Sequence, residues 1–270
     1  SRSGTGDYVT DVRHHNPIPS SSDYYGADVA MDGKILAISA YTDDNYYPGI
    51  LYGPSYGNYD AFADSGMVYV YYAADFGDEG DHETSFQHAY EASISAPEKS
   101  SYDNFGRAIA VSGNTLVVGA PNEDAYGYTG FLHNGESGLN SHDDNYTDSG
   151  AVFVYRRNDS SSITASNWVH EATIKAAGGN SYDYFGASVD ISGDTLVVGA
   201  YYEDSSGTNI ISAAEINAGT HAIPTDNYVT DSGAVYVYER TGNTWAFSAY
   251  IKSPIALDSS SSCRKNSFAA

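Results

Sequence analysis

The sequence predicts an all-β fold, a repeat array of β-propeller type, and three observations carry the prediction. Landmarks recur at a period of 80: Tyr25-Gly26, Phe105-Gly106 and Phe185-Gly186 open segments that close at Ser39-Ala40, Gly119-Ala120 and Gly199-Ala200. A fixed period of this size marks supersecondary units that stack on one another. Within each unit, short apolar runs rich in Val, Ile and Tyr are punctuated by glycine, and no segment has helical periodicity.

The elements follow in the same order in each copy. Residues 105–111 and 115–121 flank Ser112-Gly113-Asn114, and residues 185–191 and 195–201 flank Ser192-Gly193-Asp194, the pattern of a β-hairpin with a tight turn. In the first copy the turn is Asp32-Gly33-Lys34. After a long loop a third strand begins at Gly66, Gly150 and Gly233, where Val alternates with Tyr or Phe, so each strand offers two faces to pack. A fourth follows at 88–97, 168–177 and 245–254. The expected architecture is three four-stranded antiparallel blades with their long loops on one face. The expected boundaries are an N-terminal arm at 1–22, blades at about 23–102, 103–182 and 183–257, and a Ser-rich tail at 258–270.

The stretches FGRAIAVSGNTLVVGAPNED and FGASVDISGDTLVVGAYYED, each followed by DSGAV and then FVY or YVY, resemble FG-GAP repeats. These are the blades of integrin α-chain propellers and of many bacterial and eukaryotic surface proteins. The resemblance spans residues 23 to 257, with Tyr25 in place of Phe and Ser39 in place of Gly in the first copy. It implies a propeller, an extracellular setting and a role in adhesion or recognition rather than catalysis. Calcium-binding members carry an Asp-rich loop between the first two strands, and here that turn is too short to hold one. Propellers close with about four to eight blades. Three expected blades leave two faces to be covered by other copies, by further chain in a longer precursor, or by an unusual closure.

Composition narrows the partners. A formal charge of −23, from 35 acidic against 12 basic residues, opposes binding to nucleic acid or to an anionic membrane. No apolar run reaches the ~18 residues of a membrane span. The single cysteine, Cys263, excludes an internal disulfide framework. The reading is a secreted or cell-surface protein whose signal peptide has been removed.

Candidate site residues lie in the loops between second and third strands, where acids recur in register. They are Asp43 and Asp44 with Asp60 and Asp64, Glu123 and Asp124 with Asp144 and Asp148, and Glu203 and Asp204 with Asp226 and Asp231. Four carboxylates at a pinched loop base suit calcium, which takes six to eight oxygen ligands. The same aspartates could instead cap turns by accepting backbone N–H bonds. Tyr46, Tyr47, Tyr56, Tyr126, Tyr128 and Tyr228 in these loops suit stacking on a sugar or contact with a protein. Asn145 and Asn158 open glycosylation sequons.

No GxSxG elbow, P-loop, HExxH or dinucleotide fingerprint occurs. Carboxylates that recur in every blade argue for architecture, because catalysis needs one asymmetric site. The expectation is a non-catalytic module for adhesion or assembly, a calcium-stabilised subunit of a surface filament, whose partners are other copies or another surface protein. A glycan-binding lectin is the alternative, and a carbohydrate-active enzyme stands behind both.

Overall fold

The computed structural model describes residues 16–17, 19–51, 62–73, 88–124, 131–133, 146–158 and 167–254. It contains three antiparallel sheets. The first comprises β1 (Val29–Asp32), β2 (Ile35–Ala40), β3 (Ile50–Leu51), β4 (Met67–Ala73) and β5 (His88–Ile94). The second comprises β6 (Ala108–Ser112), β7 (Thr115–Ala120), β8 (Phe131–His133), β9 (Ala151–Arg157) and β10 (Trp168–Ile174). The third comprises β11 (Ser188–Ser192), β12 (Thr195–Ala200), β13 (Ile210–Ser212), β14 (Ala234–Thr241) and β15 (Thr244–Ile251). All three share one order, β1-β2-β4-β5-β3 and its equivalents. The innermost strands touch their neighbours, β1 against β6 and β6 against β11, as blades do around a propeller axis.

Each blade therefore has a fifth strand beyond the four expected. It is a two- or three-residue piece of the long loop that returns to pair outside the fourth strand, with Ile50 opposite Ile94, Phe131 opposite Ile174 and Ile210 opposite Ile251. So short a run has no periodicity of its own, and tertiary pairing alone makes it a strand. The third loop also forms a five-residue helix, α1 (Ala213–Asn217), whose capping box joins Ser212 and Glu215.

The hairpins close as their turns predict. Gly33, Gly113 and Gly193 stand first in two-residue turns at φ of 55°, 54° and 60°, a conformation that glycine adopts without steric cost. Gly66 and Gly150, before the third strands of the first two sheets, have a second reason besides their positive φ of 87° and 83°. A Cβ on Gly66 would lie 2.0 Å from the Phe105 carbonyl oxygen, and one on Gly150 the same distance from that of Phe185. In both cases the next sheet's Phe-Gly passes directly over the glycine, and its Phe N–H donates to the preceding serine carbonyl, Phe105 to Ser65 at 3.0 Å and Phe185 to Ser149 at 3.1 Å. The Asp-Ser-Gly of one blade and the Phe-Gly of the next are thus two halves of one joint.

Strand alternation gives each sheet an aliphatic front and an aromatic back. The front of the first sheet, with Val68, Val70, Ala92 and Ile94, packs on Phe105, Leu116, Phe153, Tyr155 and Trp168 of the second. The front of the second, with Val117, Val152, Val154 and Ile174, packs on Phe185, Leu196, Tyr236, Tyr238 and Trp245 of the third. Burying each large side chain stabilises by ~1.5–3 kcal/mol, so these two interfaces hold the array together. The back of the first sheet forms a smaller cluster of its own around Ile38, Met67, Tyr69 and Tyr71.

Candidate functional site: the loop clasps and the latches between sheets

The loops that carry the candidate acids are closed by those acids. In the second blade the Glu123 carbonyl accepts the Gly150 N–H at 2.9 Å, and its carboxylate accepts from the Lys175 ammonium at 2.6 Å. Lys175 also donates to Ser149 Oγ at 2.9 Å, and both members of the ion pair are buried. The third blade repeats the clasp: Gly233 N–H bonds the Glu203 carbonyl at 2.9 Å, and Lys252 bonds the Glu203 carboxylate in the interior. The first blade departs from this pattern, because Asp43 is shorter and Ser95 stands where Lys175 stands in the second. Asp43 accepts from the Tyr69 hydroxyl at 2.7 Å and the Asn45 N–H at 3.0 Å, and burial pushes its carboxyl up to about 6.

The second acid of each pair closes the loop's other side. Asp44, Asp124 and Asp204 each accept through Oδ1 the backbone N–H of Asp64, Asp148 and Asp231, at 2.6, 2.6 and 2.5 Å. Those three partners sit at φ of 50°, 52° and 53°, the left-handed region that aspartate tolerates better than most side chains. The structure brings these acids together in pairs, with a backbone N–H between them. Asp226 stands apart, accepting from Ser206 N–H and Oγ at 2.9 and 3.0 Å. Asp60, Asp144, Asn145, Tyr56, Tyr126 and Tyr128 lie outside the described residues. Among the described residues, no group of three or more His, Cys, Asp or Glu side chains is placed to hold a metal ion.

A third set of acids has the same period. Asp23, Asp103 and Asp183 are buried, and each accepts through Oδ2 the N–H three residues earlier, from Ser20, Ser100 and Asn180 at 2.7, 2.8 and 2.7 Å. Burial drives the carboxyl of Asp103 up to about 8 and that of Asp183 up to about 7, with Glu123 and Glu203 respectively adding repulsion. The spacing of 80 among the three is visible in the sequence, but their burial is not.

Charge also crosses between sheets. The fourth strand of each sheet carries a β-bulge, whose extra residue is Glu91, Glu171 or Ser248. A bulge re-aims the side chain it carries, and here the two glutamates point into the next sheet. Glu91 accepts from Arg157 Nη2 at 2.7 Å, Trp168 Nε1 at 2.8 Å and Asn167 Nδ2 at 3.1 Å. The Arg157 guanidinium lies 3.6 Å from the centre of the Tyr72 ring, so the first sheet grips it on two sides. Glu171 repeats the arrangement with Trp245 Nε1 at 2.8 Å and Arg240 Nη1 at 3.3 Å.

Of the expected contact tyrosines, Tyr228 and Tyr46 are exposed, and Tyr47 is half-buried with its ring edge-on to Tyr46 at 5.3 Å. More regular exposed rings belong to Tyr102 and Tyr182, 80 residues apart, at φ of 74° and 69°. Their N–H groups are tied to Ala63 and Thr147 carbonyls of the preceding sheet at 2.6 and 2.7 Å. Asn158 is exposed at the end of β9, its N–H bonded to the Asn167 carbonyl at 2.7 Å.

The FG-GAP repeat family model matches residues 89–135 and 168–213. Each match begins on the fourth strand of one sheet and runs through the hairpin of the next to its short outer strand. No match to the chain was found among curated proteins.

Proposed function

We propose that the chain is a non-catalytic extracellular module of adhesion or assembly, which works by presenting the faces of its sheets and the rim of its long loops to partners. The observation that supports this is the repeated use of the charged groups. Equivalent acids do the same clasping work in successive blades, and the buried ion pairs join loop to strand or sheet to sheet. Such a distribution serves rigidity and docking, whereas catalysis needs one set of groups unlike its repeats.

Calcium stabilisation belongs to this proposal only as a quantity to be measured. Asp43, Asp44, Glu123, Asp124, Glu203, Asp204 and Asp226 already accept backbone or lysine donors, so an added cation competes with those bonds. The test is the native particle mass by light scattering, with calcium and then with excess chelator. Growth beyond 28.8 kDa supports assembly. Dissociation on chelation makes the loops metal-dependent joints, and turnover of a glycan substrate without assembly overturns the reading.

A second reading, glycan recognition, is favoured by Tyr102 and Tyr182, two exposed rings held on the same backbone conformation in consecutive blades. Loss of binding on a glycan array when both are changed to Ala would support it.

A further inference from the structure

The two internal interfaces supply a template for a third. At each, an aliphatic front carrying a bulge glutamate meets an aromatic back carrying an arginine and a tryptophan side by side in register, Arg157 opposite Trp168 and Arg240 opposite Trp245. The front of the third sheet and the back of the first are the faces at the two ends of the described array. Val117, Val152 and Val154 are completely buried at the second sheet's front, whereas Val197 is 37% exposed and Val235 and Val237 are half-buried at the third. At the back of the first sheet Met31 is 66% exposed, and Tyr25 is half-buried where Phe105 and Phe185 are fully covered.

The charged latch has been lost from both end faces together. Ser248 occupies the bulge position of Glu91 and Glu171 on the third sheet's front. Ala73 and His88 occupy the register positions of Arg157 and Trp168 on the first sheet's back. A front with glutamate docked on Ala73 would bury a carboxylate without its arginine, and a back with arginine docked on Ser248 would bury a guanidinium without its glutamate, each strongly unfavourable. Ser248 against Ala73 buries neither. At the latch position, therefore, the two end faces suit each other better than either suits an internal face.

We infer that the front of the third sheet docks on the back of the first sheet of a second copy of this chain, a heterologous head-to-tail contact that repeats the internal blade packing without its buried ion pair. This rests on the assembly reading above and names its partner and its faces. A contact of this kind is directional and propagates, or closes, according to the rotation it imposes.

Met31 and Val197 are the repeat equivalents of Ile191 and Val117, which share one core cluster across the second interface. The test mixes Met31→Cys copies with Val197→Cys copies, both in a Cys263→Ser background, under mild oxidation, with light scattering of the same samples. Disulfide-linked dimers should form in the mixture and not in either variant alone. Ser248→Glu on the Val197→Cys copy should lower their yield at least tenfold. Particles that grow while the mixed cysteines stay unlinked, or that link as readily within one variant, overturn the head-to-tail contact and leave assembly standing. A 28.8 kDa particle at every concentration overturns both.

Discussion

Glu91 and Arg157 face each other across the boundary between the first two sheets, Oε1 to Nη2 at 2.7 Å, with both side chains removed from water. A further 2.8 Å bond from the Trp168 indole to Oε2 satisfies the carboxylate's other oxygen. Removing one partner leaves the other as a buried, uncompensated charge. Glu91→Ala should destabilise the chain by about 3–5 kcal/mol. Replacing the pair together, Glu91→Leu with Arg157→Met, should recover most of that loss in urea titrations. Equal damage from the single and double changes would refute the latch.

The clasp of the second loop behaves alike on a smaller scale. Lys175→Met removes the ammonium bonded to the buried Glu123 carboxylate, and its expected cost is about 3 kcal/mol. Glu123→Gln added to it should restore stability, because a neutral amide tolerates burial better than a lone carboxylate. A thermal-shift cycle over the four proteins measures the coupling, which is expected to exceed ~1 kcal/mol.

Glycine substitutions separate the two reasons for glycine in this fold. Gly33 lies in open space at φ 55°, so Gly33→Ala should cost only the left-handed backbone penalty of roughly 1–2 kcal/mol. At Gly150 the added methyl would meet the Phe185 carbonyl at 2.0 Å, forcing the second and third sheets apart. Gly150→Ala should cost more than 4 kcal/mol or split unfolding into two transitions. Similar losses for both variants would show that the joint tolerates separation.

Stability should fall as pH rises through neutrality. The folded chain holds a proton on Asp103, whose carboxyl is pushed to about 8, after the unfolded chain has released its own near the ordinary 3.8. Each such group contributes a slope of up to ~1.4 kcal/mol per pH unit across that window, destabilising as pH increases. Buried His170, lowered to about 4, pulls the other way only below its ordinary 6.5, so the measurement belongs between pH 6.5 and 8. Asp103→Asn keeps an acceptor for the Ser100 N–H and should flatten the fall in melting temperature. An unchanged slope would mean that Asp103 is ionised in the fold.

Sequence alone revealed what depends on local chemistry. The hairpins were legible because a turn glycine sits between β-branched runs, and the family match at 89–135 and 168–213 agrees with that reading. The short outer strands were not, since Ile50-Leu51 becomes a strand only by meeting Ile94 and Ser93. The acid pairs at the loop bases were legible as pairs, but a carboxylate facing a cation and one facing a backbone N–H look the same in a sequence. Glu91 was the hardest to read. Strict alternation would assign it a face, and the bulge changes that face through pairing with a strand 20 residues away, between Val70 and Tyr71.

Synthesis runs from the amino terminus, and Glu91 leaves the ribosome 66 residues ahead of Arg157 and 77 ahead of Trp168. At ~5–20 residues per second that is a delay of several seconds, during which the first sheet's front lacks the arginine and tryptophan that pair its glutamate. A hydrated carboxylate in the middle of an otherwise aliphatic surface makes that surface a poor trap for stray hydrophobic chain. The glutamate that locks the sheets is thus made well before the groups that neutralise and bond it, and its burial waits on their arrival.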